Sequence, residues 1–519
     1  MVAFLLQLFL AFPRCLGLFA NRKKICGSLT TLFLIILGTS KCLASPWIEP
    51  GDERTRHHLQ TLADAGVLRS PITTWPLMWS NIQADMEHIE PQDLTAAQLW
   101  SYHYLKHELR KAKQTTNTEQ TVHFSNRAAA LSDFSSDARE RYETSFAFGY
   151  TGDKVAYKLK ASYAHEPNDG HDYRGDGSYF NFLVGNWALG IGEIDRWWGP
   201  GWESSLILSH SSRPTPGLFL QRNVAAPFKT PLLSWLGPWQ VVTFMSQLES
   251  NRAVPEAKFW GMRVNFKPLK KLEIGLSRTA QWGGEGRPND IGTFVKLLLG
   301  QDNLDDFDAD ESHDRSEEPG NQLAGIDWRW GYILGSANGS IYGQFIGEDE
   351  AGGMPSRSIG MAGIEYNTLF ADIQTRINLE AQNSTVYFYD SEKRRGNVAY
   401  EHSIYQSGYR YYGKPLGASS DNDTESLTLR GQWYFRNGNN LNLSIGHHRI
   451  NYDNSTRGTP GGSVFGDDAQ TTNKMQINFT APLSDVFLLE LSAFHYSDGI
   501  TYDGVELDAG GFVSLRAFW

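Results

Sequence analysis

In Val155-Ala-Tyr-Lys-Leu-Lys-Ala-Ser-Tyr163, the side chains of Val155, Tyr157, Leu159, Ala161 and Tyr163 fall on one face of an extended chain, and Lys158, Lys160 and Ser162 on the other. Successive side chains of a strand point to opposite sides, so this is a strand with one apolar and one wet face. Leu441, Leu443 and Ile445 alternate with Asn442, Ser444 and Gly446 in the same way. The period of 2 sets in near residue 121 and persists to the end of the chain.

Connection lengths separate a soluble sandwich from a membrane barrel. Short turns at 151–153, 267–270, 367–369, 436–440 and 481–485 alternate with long Gly/Asp/Asn-rich loops at 166–178, 282–321, 348–357 and 451–471. Short turns on one side and long loops on the other describe an outer-membrane barrel, and strands of about 9–11 residues cross the hydrocarbon when tilted. The composition agrees. An aromatic share of 13% beside a mean hydropathy of −0.40 requires aromatic and polar residues to alternate, as they do when only the outward residue of each pair is apolar and the lumen is polar. The C-terminal run ends in the same pattern, with Val513, Leu515, Ala517 and Trp519 alternating with Ser514, Arg516 and Phe518. It is similar to the terminal strand that serves as the assembly signal of bacterial outer-membrane barrels. The expected fold is a mainly β, transmembrane antiparallel barrel of about 18 strands over 119–519, both ends facing the periplasm. Within it, 197–238, rich in proline, is the least strand-like part and is expected to contribute a lumen segment.

Ahead of the barrel, residues 1–44 read as a secretory signal. Asn21-Arg-Lys-Lys24 is a positive n-region, Leu29–Leu37 spans an apolar h-region, and Cys42-Leu-Ala44 precedes a cleavage point at Ser45. The apolar run from Val2 to Ala20 is either an over-long start or an extended signal. Cys15, Cys26 and Cys42 are the three cysteines, so the mature chain is expected to carry none. Residues 45–118 read as a small periplasmic helical bundle. Asp52 and Glu53 open one helix and Gly66 closes it; Thr95 and Gln98 form a capping box for a second. A net charge of −11 disfavours nucleic acid as a partner.

Two constellations are candidate binding sites. The first is Gly192-Glu-Ile-Asp-Arg-Trp-Trp-Gly-Pro-Gly-Trp202 with Arg213-Pro-Thr-Pro216 and Arg222. Aromatic faces stack on sugar rings and guanidinium forks bind carboxylates, so Arg196, Trp197, Trp198, Trp202, Arg213 and Arg222 in a polar lumen suit an acidic glycan. The same residues also suit packing: Trp197 and Trp198 in a girdle or plug, Arg196 paired with Glu193 or Asp195. The second is Gly408-Tyr-Arg-Tyr-Tyr-Gly413, followed by Asp421-Asn-Asp423. Tyr409, Tyr411 and Tyr412, with Arg410 between them, line a sugar path or sit in the girdle, and Asp421 and Asp423 either bind a cation or hold a turn, the turn being favoured. The acidic loop from Asp302 to Glu318 lacks the EF-hand glycine and terminal glutamate and reads as solvated surface.

No Gly-x-Ser-x-Gly elbow, His-Glu-x-x-His, Walker loop or Cys/His zinc pattern occurs. Ser209 and His210 are adjacent and diverge, and His447 and His448 point to opposite faces of their strand. Glu193 and Asp195 share a face, but such pairs are common in lumens without catalysis. The expectation is a protein with no catalytic residues, no cofactor and no metal.

The chain resembles the Wzi family of capsule assembly proteins. The resemblance rests on Thr74-Trp-Pro-Leu77, on Arg196-Trp-Trp-Gly-Pro-Gly-Trp202 with Ser205-Leu-Ile-Leu-Ser209 and Arg213-Pro-Thr-Pro216, and on Tyr409-Arg-Tyr-Tyr-Gly413 through Asp421-Asn-Asp423. It implies an 18-stranded outer-membrane barrel that acts as a lectin, anchoring capsular or related exopolysaccharide at the cell surface. Its expected partners are that polymer, outer-membrane lipid and, through the helical region, the polysaccharide-export machinery. The competing class is a porin or export channel, which an open lumen would favour.

Overall fold

The computed structural model describes residues 45–135, 140–298, 320–351, 354–454 and 463–519. Residues 1–44, expected to be a signal sequence, and the acidic loop lie outside these residues. Eighteen antiparallel strands close into one barrel. They are β1 Thr116–Ser125, β2 Tyr142–Thr151, β3 Val155–Ala164, an interrupted β4 (Tyr173–Arg174 and Tyr179–Val184), β5 Trp187–Glu193, β6 Pro216–Arg222, β7 Trp239–Gln247, β8 Lys258–Leu269 and β9 Leu272–Trp282. The remainder are β10 Gly320–Leu334, β11 Ala337–Ala351, β12 Met354–Phe370, β13 Ile373–Asn383, β14 Glu425–Tyr434, β15 Asn440–Ile450, β16 Gln470–Pro482, β17 Phe487–Tyr502 and β18 Val505–Phe518. The last strand closes on the first with Leu515 opposite Val122, and Trp519 exchanges both backbone bonds with Thr118 at 2.8 and 3.0 Å.

The barrel is inside-out relative to a soluble protein. Leu159, Phe124, Ile341, Leu443 and Ile445 are exposed on its outer wall, whereas Arg263, Asn265, Gln344, Glu365, Arg376 and Gln432 are buried within. This inversion places the apolar wall against hydrocarbon and the polar one in the lumen. Among the described residues no helix is long and apolar enough to cross a membrane.

Three connections differ from the sequence reading. The strands β11 and β12 run on to Ala351 and Met354, which pair with each other, so 348–357 is a hairpin end and not a long loop. The turn expected at 367–369 lies at Ala371-Asp372, both with positive φ (48° and 59°). That is the pairing of two left-handed residues that suits a two-residue hairpin, formed without the Asn-Gly signal that would announce it. The 41 residues from 384 to 424 join β13 to β14 as a long loop that strand alternation did not delimit. Within the proline-rich stretch, Pro216–Arg222 is a barrel strand, and only what flanks it leaves the wall.

The helices are α1 Glu53–Asp64, α2 Trp79–Met86, α3 Ala96–Ala112 and, in a loop, α4 Ile291–Leu298. Asp52 caps α1 by accepting from Thr55 N at 3.0 Å, and Gly66 stops it at φ +77°. At α3, Thr95 and Gln98 complete the reciprocal capping box. The α1 helix enters the barrel end bearing the turns at 270–271, 335–336, 371–372 and 435–439. Arg54 donates to Gly438 O at 2.6 Å, Asn338 to Thr61 O at 2.8 Å, and Arg329 forks Asp64 at 2.9 and 2.8 Å.

Candidate functional site

The three segments singled out in the sequence meet inside the lumen. Trp75 pairs with Trp197, and Thr74 with Trp198, in a two-residue antiparallel ladder. From the opposite end comes the 384–424 loop: Ser209 N donates to Leu416 O at 2.8 Å, Tyr409 OH to Ile207 O at 2.7 Å, and Tyr400 OH to Leu206 O at 2.5 Å. The barrel wall holds the assembly in place. Gln344 accepts from Leu206 N at 2.7 Å and donates to Trp198 O at 2.9 Å. The Glu380 carboxylate accepts from Trp202 N at 2.8 Å, Ser204 N at 3.0 Å and Tyr342 OH at 2.8 Å. Gly201 is required by this packing, since a Cβ there would sit 2.3 Å from Ser204 O.

Within this plug the tryptophans are closed off. Trp197, Trp198 and Trp202 are 0–1% exposed. Trp197 packs edge-on to Phe134 and His210 at 5.4 and 5.3 Å. The Trp202 ring lies beneath the Arg56 guanidinium at 4.3 Å, and its Nε1 donates to Glu365 at 3.1 Å. Arg196 sits 4.2 Å over Phe244 and donates to Ile194 O. Burial pulls its pKa down to about 10 against the charge of Asp195. Trp198 Nε1 is buried without a hydrogen-bond partner. These four residues build the plug and present no face to a polymer outside.

The second constellation divides. Tyr409 is buried, stacked on Tyr400 at 5.7 Å. Arg410, fully buried, forks Asp421 at 2.7 and 2.9 Å and reaches Glu401 at 2.5 Å, so its guanidinium is spent on loop architecture. Asp421 and Asp423 hold positive φ of 65° and 51°, in keeping with the turn-holding role. Tyr411 is 7% exposed, its ring 4.6 Å from that of Tyr412, and burial raises its phenol pKa.

Tyr412 is the aromatic that reaches the loop face. It is half-buried, its OH and His171 Nε2 are 3.0 Å apart, and the Arg213 guanidinium lies 5.6 Å from its ring. Arg213 is held in turn by Asp176 at 2.8 and 2.7 Å and Asp169 at 2.8 Å. Burial alone would raise the Asp169 carboxyl, but Arg213 and the His171 amide hold it below the ordinary range. Asp169, Asp176 and His171 read in the sequence only as part of the long polar loop 166–178, whose distance in sequence from Arg213 hides their role. Arg222 belongs elsewhere: it ends β6 at the opposite, helix-bearing end, stacked 3.7 Å over Trp239. The structure therefore gathers Arg213, Tyr411 and Tyr412 at the loop face, commits Arg196, the three tryptophans, Tyr409 and Arg410 to packing, and separates Arg222 from both.

Ser209 Oγ bonds Gly417 O at 2.5 Å, while His210 Nε2 bonds Asp133 O at 2.9 Å; the two do not converge. Among the described residues no group of three or more His, Cys, Asp or Glu side chains is placed to hold a metal ion.

Residues 110–495 match the family described as capsule assembly protein Wzi. An uncharacterized 55.8 kDa protein in the cps region of Klebsiella pneumoniae is 32% identical over 324 residues, 60% of this chain and 60% of that protein. The matched stretch thus spans less than two thirds of that relative. The structure superposes with a TM-score of 0.78 on Wzi of Escherichia coli, an outer-membrane protein involved in group 1 capsule assembly and a carbohydrate-binding β-barrel. Identity there is 26%, over 91% of this chain and 99% of that one.

Proposed function

The chain belongs to the capsule assembly protein Wzi family, and from that premise we propose that it is a lectin that anchors capsular or related exopolysaccharide on the outer membrane. The observation that carries this reading is the filled lumen. Trp75, Trp197, Trp198, Trp202 and Arg56 are all buried inside the barrel, so the molecule offers a polymer a shaped surface and not the aqueous passage of a porin. The signal sequence is cleaved before Ser45, and the helical region hangs on the periplasmic side, within reach of the export machinery.

Contact with the glycan is assigned to the loop face around Tyr412, Tyr411 and His171, backed by Arg213 and its two aspartates. A guanidinium already forked by carboxylates is a poor clamp for a uronate. Recognition therefore runs through stacking on Tyr412 and hydroxyl bonds to the imidazole and carboxylates. Each contact is weak, and retention comes from many repeat units engaging many barrels. The test is polymer binding by the purified barrel and by Tyr412→Ala: the variant should fold as a heat-stable barrel and bind the cognate capsular polymer about tenfold more weakly, the loss of one stacking contact. Undiminished binding would remove Tyr412 from the site.

A further inference from the structure

The solvent face of α3 carries a stripe of basic side chains, three of them lysine or arginine. His103, Lys106, His107, Arg110 and Lys113 are all exposed, at spacings of three and four residues that stack them along one side. The opposite side buries Tyr102, Leu105, Leu109 and Ala112 against the rest of the helical region. Lys111 pairs with Glu108 at 2.9 Å. Among the described residues, Lys106, Arg110 and Lys113 make no ion pair, although the chain as a whole is acidic.

The stripe ends at the membrane rim. Only Gln114 and Thr115 separate Lys113 from β1, and Thr115 O accepts from Thr151 N at 2.8 Å at the end of β2. Thr116 lies opposite Tyr150, which stacks on Tyr157 at 5.4 Å on the outer wall. Paired outward tyrosines mark the interfacial level of a barrel. Lys113 therefore lies within about 10 Å of that level, the reach of three extended residues. Exposed Lys154 occupies the neighbouring turn.

We propose that this stripe docks the anionic headgroups of phospholipid in the periplasmic leaflet, phosphatidylglycerol being the simplest. The inference rests on the periplasmic orientation proposed above and is independent of glycan recognition. Unpaired cations beside an anionic leaflet gain about fivefold in affinity each, an attraction that salt screens.

The experiment is native mass spectrometry of the full chain released from micelles containing equal phosphatidylglycerol and phosphatidylethanolamine. It is run for the wild type and for the triple variant Lys106→Gln, Arg110→Gln, Lys113→Gln, whose exposed side chains leave the core intact. The wild type should retain phosphatidylglycerol at least fivefold over phosphatidylethanolamine, a preference that fades between 0.05 and 0.5 M salt, and the variant should retain the two nearly equally. An unchanged preference in the variant overturns the proposal. So does a variant that keeps the lipid preference while losing binding to polygalacturonate, which would make an acidic polymer the occupant. Labelling of a His103→Cys variant by an impermeant maleimide on intact cells would overturn the orientation alone, and surface polysaccharide measured in the same strains reports separately on the lectin reading.

Discussion

The inner wall of the barrel has two unlike halves. From β8 to β14 it is bolted to the plug by charge. Arg263 bridges Asp327 and the hydroxyls of Thr73 and Thr74, and Glu273 accepts from the Ile72 and Thr73 amides at 2.9 Å. Arg329 and Arg376 share Glu365, and Arg430 ties Asp133 and Glu203. From β16 round to β3 the anchors are sparser: Lys474 reaches Leu131 O at 2.7 Å and Lys158 reaches Glu49 at 3.1 Å. There a pair such as Arg516 and Glu490 stays partly hydrated, with about a quarter of each side chain exposed. The plug is thus positioned by buried ion pairs along one half of the barrel, while the other half encloses it with fewer anchors.

Mutations can break that contrast. Glu365→Ala removes the carboxylate that Arg329 and Arg376 share, leaving Asp64 alone beside the two buried guanidinium groups, and should cost about 3–5 kcal/mol, whereas Glu490→Ala should cost at most about 1 kcal/mol. Thermal unfolding followed by heat-modifiable gel migration measures both, and equal losses would erase the distinction. Acid should act on the plug side. His57 and His58 are buried in α1, and burial first, then the nearby Arg376 and Arg54 charges, hold their pKa values well below 6.5. Unfolded chains take up those protons as the pH falls below about 6.5 while the folded chain does not. Stability should therefore be full above that pH and decline below it, and His57→Gln should flatten the slope between pH 6.5 and 5. At the small end, the triple α3 variant should shift stability by less than about 0.5 kcal/mol, as exposed positions do, while changing lipid selectivity.

Alternation made the barrel, its strand number and its inside-out polarity readable, because a period of 2 with short turns on one side admits few other folds. The capping box of Thr95 and the stop at Gly66 were local signals of the same kind. The site was less readable. Sequence proximity put Arg222 beside Arg213, yet β6 carries the two to opposite ends of the barrel. Composition marked Trp197, Trp198 and Arg410 as ligand-facing types, but whether an indole stacks on a sugar or on Phe134 depends on which loops fill the lumen. No local pattern encodes that. Asp169 and Asp176 became partners of Arg213 only through the closure of a loop some forty residues away.

The proposed function stands on the barrel holding polymer as against conducting it. The direct measurement is the partition of surface polysaccharide between cells and medium, at equal total synthesis, in a deletion strain complemented with the wild type or with Tyr412→Ala. Deletion should shed polymer into the medium, the wild type should restore full retention and the variant partial retention. Retention unchanged by deletion, together with open-channel conductance of the purified barrel in a planar bilayer, would contradict it.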